Sequence, residues 1–212
     1  MKKPFFGVYN PSIILTYISV FSALAGIMLL MKSSANEALD YMNVAIGLLI
    51  VSGVCDMFDG TIARKCKRTD VEKEFGIQLD SLADTVAFVV YPAIILLYAT
   101  QYHMVSYFIA CLYVFAGIMR LGWFNVTVET NKGFFQGMPV TMSAAFVPLF
   151  FIIISKFVIA PEIITYMTQV LFLTIALLFI ANFRMKKPDA KGRIILGLVA
   201  FAILIFIILI YI

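Results

Sequence analysis

Asp56, Asp59, Asp80 and Asp84 are four carboxylates set at helical spacings in a strongly apolar chain. Ionisable side chains next to membrane-length apolar segments are expensive and by default mark function. Left uncompensated, close carboxylates repel one another and take up protons. A divalent cation removes the conflict, because carboxylate oxygens suit hard ions such as Mg2+, Mn2+ or Ca2+. At about 100° per residue, Asp56, Asp59, Gly60 and Ala63 share one face of a helix. Gly76, Asp80 and Asp84 share one face of the next. Brought together across a helical hairpin, the two faces suit phosphoryl transfer, with a pair of cations bridging a diphosphate. Gly60, Ala63 and Gly76 leave room for a second backbone or a planar ligand. Arg64 adds a fixed positive charge suited to a phosphate oxygen. Asp84, last along its face and deepest in the membrane, is the carboxylate placed to accept a proton from an attacking hydroxyl. Asp70, Glu72 and Glu74 read instead as solvated helix-end charges paired with nearby lysines.

The elements that must carry these side chains are membrane helices. Of the 212 residues, 63% are hydrophobic, and the mean hydropathy is +1.01; a soluble domain is nearer about 45–50% apolar. The alternation of a membrane β-barrel is absent, so the fold class is an all-α polytopic membrane protein. Apolar runs at 12–31, 43–63, 77–99, 104–124, 138–159, 163–183 and 192–212 predict a bundle of about seven transmembrane helices. Together they form a single integral-membrane domain over 1–212, with no room for a separate soluble one. The basic start, Met1-Lys2-Lys3-Pro4, leads into an apolar run longer than a signal-peptide core, and it reads as retained. Cys55, Cys66 and Cys111 form no CxxC and suggest no disulfide framework. The net charge of +4 is modest, and no basic face interleaves with exposed aromatics, which argues against a nucleic-acid partner.

Lysine and arginine alternate between connectors. Lys2 and Lys3 precede the first span, and Arg64, Lys65, Lys67, Arg68 and Lys73 lie between the second and third. Arg120 and Lys132 flank the fourth-to-fifth connector, and Arg184, Lys186, Lys187, Lys191 and Arg193 fill the sixth-to-seventh. The other connectors hold little. This pattern predicts a cytoplasmic N-terminus and a cytoplasmic carboxylate site, with a prokaryotic plasma membrane as the best-fitting location. Residues 33–42 and 126–137 read as ordinary loops, and 184–193 as a basic connector.

The stretch from Asp56 to Asp84 resembles the signature of the CDP-alcohol phosphotransferase family, D-x2-D-G-x2-A-R-x(n)-G-x3-D-x3-D. Every fixed position is present: Asp56, Asp59, Gly60, Ala63, Arg64, Gly76, Asp80 and Asp84. The spacer between Arg64 and Gly76 is longer than is usual for the family, and an extended tip of the cytoplasmic hairpin is expected to absorb it. The resemblance implies displacement of CMP from a CDP-linked lipid or alcohol by an alcohol nucleophile. It implies metal ligation by Asp56, Asp59 and Asp80. Asp84 would lie near the metal ions and act as base. Gly60 and Ala63 would face the cytidine and Arg64 would contact phosphate. A pair of divalent ions, Mg2+ or Mn2+, and a homodimer follow from the same resemblance. Asn10 and Thr16 resemble the family's approach to its first helix, near the nucleotide pocket; Asn10 reads equally well as a helix N-cap.

A second segment, Arg120-Leu-Gly-Trp-Phe-Asn125 followed by Phe134-Phe-Gln-Gly137-Met-Pro139, resembles the R-L-x-R-F-N … F-x-G-x-P pattern of the family's phosphatidylserine synthase branch. Trp123 replaces that pattern's second arginine and reads as an interfacial-belt residue. The resemblance implies CDP-diacylglycerol and L-serine as substrates, within membrane lipid. A serine carboxylate needs a cation, for which Arg120 is a candidate clamp; the alternative is an anchor that snorkels to the interface. Asn125 and Gln136 could supply polar contacts. A sibling transferase using glycerol-3-phosphate or inositol phosphate, or an archaeal ether-lipid serine transferase, would carry the same aspartates. A divalent-cation transporter is the reading from another class, but it predicts carboxylates spread across the bilayer. His103, the only histidine, reads as a solvated polar residue away from the aspartates.

Overall fold

The computed structural model describes residues 10–32, 38–127 and 134–186, together with position 192. It is helical apart from one short strand pairing. A 3-10 turn, Pro11–Ile13, leads into α1 (Ile14–Lys32), and α2 runs from Ala38 to Lys65. The third membrane segment is α3 (Asp70–Asp84), a π-helical stretch (Thr85–Val90) and α4 (Tyr91–Ala99), continuous in direction. Then follow α5 (Met104–Thr127), α6 (Ser143–Ile154) and α7 (Pro161–Ile180).

Among the described residues, five helices are long and apolar enough to cross a membrane: Ile14–Lys32, Tyr41–Lys65, Asp70–Ala99, Met104–Thr127 and Pro161–Ile180. The expected span at 138–159 is shorter than predicted: the apolar helical stretch covers Val140–Ile154, below the roughly 20 residues of a full crossing. The run at 192–212 falls outside the described residues, apart from position 192.

Small polar residues set the closest helix contact. Thr16, Ser19, Ala23, Gly26 and Leu30 recur every three or four residues and, with Ser22, form the buried face of α1. The small residues among them let backbones approach, and their hydroxyls bond across the gap. The Ser19 hydroxyl donates to the Ser52 carbonyl at 3.3 Å, and the Ser52 hydroxyl donates to the Ser19 carbonyl at 2.9 Å. Deeper in the bundle, a Cβ at Gly26 would collide with the Tyr91 ring. The Tyr91 hydroxyl in turn donates to the Ala45 carbonyl at 2.6 Å.

A proline organises the middle of the third segment. Pro92 has no N–H to give to the carbonyl four residues back, which is Phe88. In hydrocarbon an unmet carbonyl would cost several kcal/mol, about what burial without a partner costs elsewhere. Here the Phe88 oxygen accepts the hydroxyls of Tyr113 (2.9 Å) and Ser143 (3.1 Å). One backbone defect thus joins the third segment to α5 and to the start of α6. Below it, the Tyr113 ring packs on Phe172 and Phe179 of α7, at centroid distances of 5.2 and 5.3 Å.

Two segments expected to be plain loops pair with each other. β1 (Phe134–Gln136) is antiparallel to β2 (Arg184–Lys186), with Phe134 opposite Lys186 and Gln136 opposite Arg184. Beside this ribbon, the Gly137 N–H donates to the Phe183 carbonyl at 2.7 Å and the Met138 N–H to the Leu178 carbonyl at 3.1 Å. Gly137 has a φ of +75°, and a Cβ there would meet the Ala181 oxygen at 2.9 Å. Only glycine tolerates both conditions comfortably.

Candidate active site

The α2–α3 hairpin brings the two acidic faces together. Asp56, Asp80 and Asp84 each offer a carboxylate oxygen, and these oxygens lie within 4.8 Å of one another. Asp59 is 9% exposed, and its Oδ2 accepts the Thr16 hydroxyl at 3.2 Å. α1 therefore closes the third side of the cluster. Asp56, Asp80 and Asp84, with Asp59 beside Asp80 in the cleft wall and braced by the Thr16 hydroxyl, offer the donor set of a hard divalent cation. The residues present fit such an ion.

A cleft of about 230 Å³ opens beside the cluster. Asp59, Gly60, Ala63 and Arg64 line it from α2, Gly76, Ile77 and Asp80 from α3, and Ile13 and Thr16 from the start of α1. A Cβ added at Gly60 or Gly76 would find its nearest neighbour 3.8 or 3.5 Å away, in each case an arginine nitrogen. The glycines thus leave shallow hollows roofed by guanidinium groups. Arg64 is exposed, and its Nη2 donates to Thr61 Oγ1 at 3.2 Å. The Asn10 side chain donates to the Lys67 carbonyl at 3.2 Å, tying the entry of α1 to the α2–α3 connector.

That connector differs from the extended tip expected from the long spacer. It is only residues 66–69, and α3 begins at Asp70, ahead of Gly76. The extra length is wound into the first turns of α3. The reason is a capping box: Glu72 N–H donates to Thr69 Oγ1 at 3.3 Å and Thr69 N–H donates to Glu72 Oε2 at 2.8 Å. Lys73 pairs with Asp70 at 2.8 Å on the same turn. Arg68, within the connector, also lines the cleft. Sequence periodicity could not find it, because it lies past the end of α2 and before α3.

The residues of the second segment divide. Asn125 turns toward α3, where its Nδ2 donates to the Ser81 hydroxyl at 2.9 Å. Ser81 is the residue between Asp80 and Leu82, so this bond braces the acidic face from α5. Arg120 turns toward α7. It is 5% exposed, its Nε donates to the Met138 carbonyl at 3.1 Å, and its guanidinium lies 5.5 Å from the Phe124 ring centroid. It lines a separate cleft of about 260 Å³ with Met119, Trp123, Phe179 and Asn182. Arg120 and Asn125, five residues apart at about 100° each, do not converge on one point. Gln136 ends β1 opposite Arg184. At the other end of the bundle, the exposed His103 ring nitrogen lies 3.3 Å from Gln169 Nε2, which also donates to Ser106 at 3.0 Å. His103 belongs to an α5–α7 tether and not to the acidic cluster.

Comparison with known proteins agrees with this geometry. The chain is 29% identical over 152 residues to the archaetidylserine synthase of Methanothermobacter thermautotrophicus, covering 71% of this chain and 61% of that protein. It is 29% identical over 174 residues to the CDP-diacylglycerol–serine O-phosphatidyltransferase of Helicobacter pylori, covering 77% and 70%. It is 27% identical over 177 residues to the enzyme of that name in Methanocaldococcus jannaschii, covering 82% and 74%. The match therefore spans less than two thirds of the first of these relatives and somewhat more of the other two. The family model for CDP-alcohol phosphatidyltransferase matches residues 9–180, a range that contains the acidic hairpin, the α1 face that closes it and most of the Arg120 cleft. With most of its length matched in this way, the chain belongs to the CDP-alcohol phosphatidyltransferase family.

Proposed function

We propose that this protein transfers the phosphatidyl group of CDP-diacylglycerol to the hydroxyl of L-serine, giving phosphatidylserine and CMP. The observation that carries the reading is the gathering of Asp56, Asp80 and Asp84 within 4.8 Å of one another beside a glycine-floored, arginine-rimmed cleft. Serine as acceptor is supported by the names of the relatives from Helicobacter pylori and Methanocaldococcus jannaschii.

The chemistry assigns each residue a task. Bound Mg2+ or Mn2+, one ion or a pair held by Asp56, Asp59, Asp80 and Asp84, would neutralise charge on the diphosphate. Gly60, Ala63 and Gly76 accommodate the cytidine, with Asn10 and Thr16 fixing the wall on the α1 side. Arg64 binds a phosphate oxygen. Asp84 accepts the proton of the serine hydroxyl as its oxygen bonds to the lipid-bearing phosphorus. The bond from that phosphorus to the bridging oxygen breaks, and the bridging oxygen leaves with CMP. Arg120 clamps the serine carboxylate, and Asn125 and Gln136 supply polar contacts to the acceptor, Asn125 from its place against Ser81 on the acidic face. The lipid tails stay in the bilayer while serine arrives from water. The basic connectors support a cytoplasmic N-terminus and cleft in a prokaryotic plasma membrane. A homodimer belongs to the same proposal, and light scattering of the detergent-solubilised protein would measure it.

Ether-linked tails are a second reading, favoured by the relative from Methanothermobacter thermautotrophicus that is named archaetidylserine synthase. The deciding experiment is CMP release by the purified protein with Mn2+ or Mg2+. It offers ester- or ether-linked CDP-lipid, with serine, glycerol-3-phosphate, inositol phosphate or inositol as acceptor. Release with serine, loss on adding EDTA and a serine-headgroup product are expected. Release with another acceptor alone would overturn the serine assignment.

A further inference from the structure

The α2–α3 connector holds a guanidinium that no signature position accounts for. Arg68 lines the same cleft as Asp59, Arg64, Gly76 and Asp80. Its Nη1 lies 3.5 Å from where a Cβ on Gly76 would sit, so the guanidinium lies across that glycine. Unlike the exposed Arg64, Arg68 is half-buried.

The backbone on both sides of Arg68 is anchored. The preceding carbonyl, Lys67, accepts the Asn10 side chain at 3.2 Å. The following residue, Thr69, is the reciprocal cap of α3. Holding a long side chain in one place costs rotamer entropy at binding, and a fixed backbone lowers that cost. Among the described residues the ion pair found is Lys73 with Asp70, and Arg64 and Arg68 line one cleft together with Asp59 and Asp80. Two positive forks on one rim, facing carboxylates that suit a cation, match a diphosphate whose two phosphates each need a donor.

We propose that Arg68 is a second phosphate-binding residue, which with Arg64 holds the two phosphates of a nucleoside diphosphate group in this cleft. The inference rests on the transferase reading above and extends it. Arg64 alone suffices for a nucleoside monophosphate, whereas the pair selects a diphosphate. Arg68 therefore contributes more to holding the CDP-lipid substrate than to holding the CMP product, which favours product release.

The test is titration of CDP and of CMP into the purified full-length protein in detergent with Mn2+, for the wild type, R68Q and R68K. R68Q is expected to weaken CDP about tenfold or more and CMP by less than about threefold, with R68K recovering part of the loss. KM for the CDP-lipid should rise in parallel while KM for serine stays unchanged. CDP binding by R68Q equal to the wild type, or equal weakening of CDP and CMP, would overturn the proposal. If R68Q also lowers the melting midpoint, R68K decides: restored CDP affinity supports a ligand, and restored midpoint without affinity overturns it. A wild type that binds no CDP and releases no CMP would sink the transferase reading itself and this proposal with it.

Discussion

The two clefts of this molecule are built in opposite ways. The acidic cleft is assembled from one contiguous hairpin, α2 and α3, and needs α1 only to close one side through Thr16. The Arg120 cleft is assembled from α5, the segment around Met138 and the end of α7, which are remote in sequence. In the first, helix periodicity alone turns the functional side chains to one face. In the second, the one local contact described for Arg120 is the Phe124 ring on its own helix, and the bond that fixes its Nε comes from far along the chain. A carbonyl eighteen residues away holds its Nε, and Gly137 holds that segment against the last carbonyls of α7. Chemistry that must never move is thus placed on rigid, short-range geometry. The contact that would choose the acceptor hangs on loops, where pockets change most readily.

The largest expected effects break the acidic cleft. Asp84→Asn should lower kcat by about 10²–10⁴-fold, the range for removing a general base, while leaving much of the metal-dependent CDP binding. Asp80→Asn should lose both turnover and binding. Single-turnover CMP release and CDP titration measure the two, and an equal loss of binding in both variants would collapse the division of roles. Next comes the Arg120 cleft. Arg120→Ala should raise KM for serine about tenfold to a hundredfold, as expected for a charged hydrogen bond worth about 1.5–3 kcal/mol, with KM for the CDP-lipid little changed. An unchanged serine dependence would remove Arg120 from the acceptor site.

Smaller effects test how the second cleft is held. Gly137→Ala forces a side chain onto a positive φ and against the Ala181 carbonyl, and should cost about 1–3 kcal/mol. It should lower the melting midpoint and raise KM for serine, while sparing CDP affinity. A parallel loss of CDP affinity would show that the two clefts are not independent. The mildest is Tyr113→Phe, which removes one of the two hydroxyls on the Phe88 carbonyl and leaves that of Ser143. It should cost about 1 kcal/mol in thermal unfolding and leave both KM values alone.

Particular residues show what could be read in advance. The aspartates were legible because a helix repeats about every 3.6 residues, so Asp56 and Asp59, or Asp80 and Asp84, must share a face wherever the helix lies. Most apolar spans were legible because hydrocarbon thickness sets a minimum length. The fifth was misjudged in extent: its apolar composition continues beyond Ile154, but the helix does not. The long Arg64–Gly76 spacer was misjudged too, because the Thr69–Glu72 box begins α3 early. Asn125 shared a motif with Arg120 yet faces another helix, since position on a helix and not nearness in sequence sets direction.

By itself, then, the sequence determined that this chain lives in a membrane, that it is helical and that four carboxylates lie in pairs on one face of each of two successive helices. Hydrophobic length and helical period are properties of the chain alone. Only the tertiary structure decided the partners of single polar atoms. The Phe88 carbonyl is met by Tyr113 and Ser143, β1 pairs with β2, Arg120 turns from the acidic cleft and Arg68 turns into it. Each of those choices depends on which unmet donor or acceptor comes within about 3 Å once the helices have packed, and no local pattern records that distance.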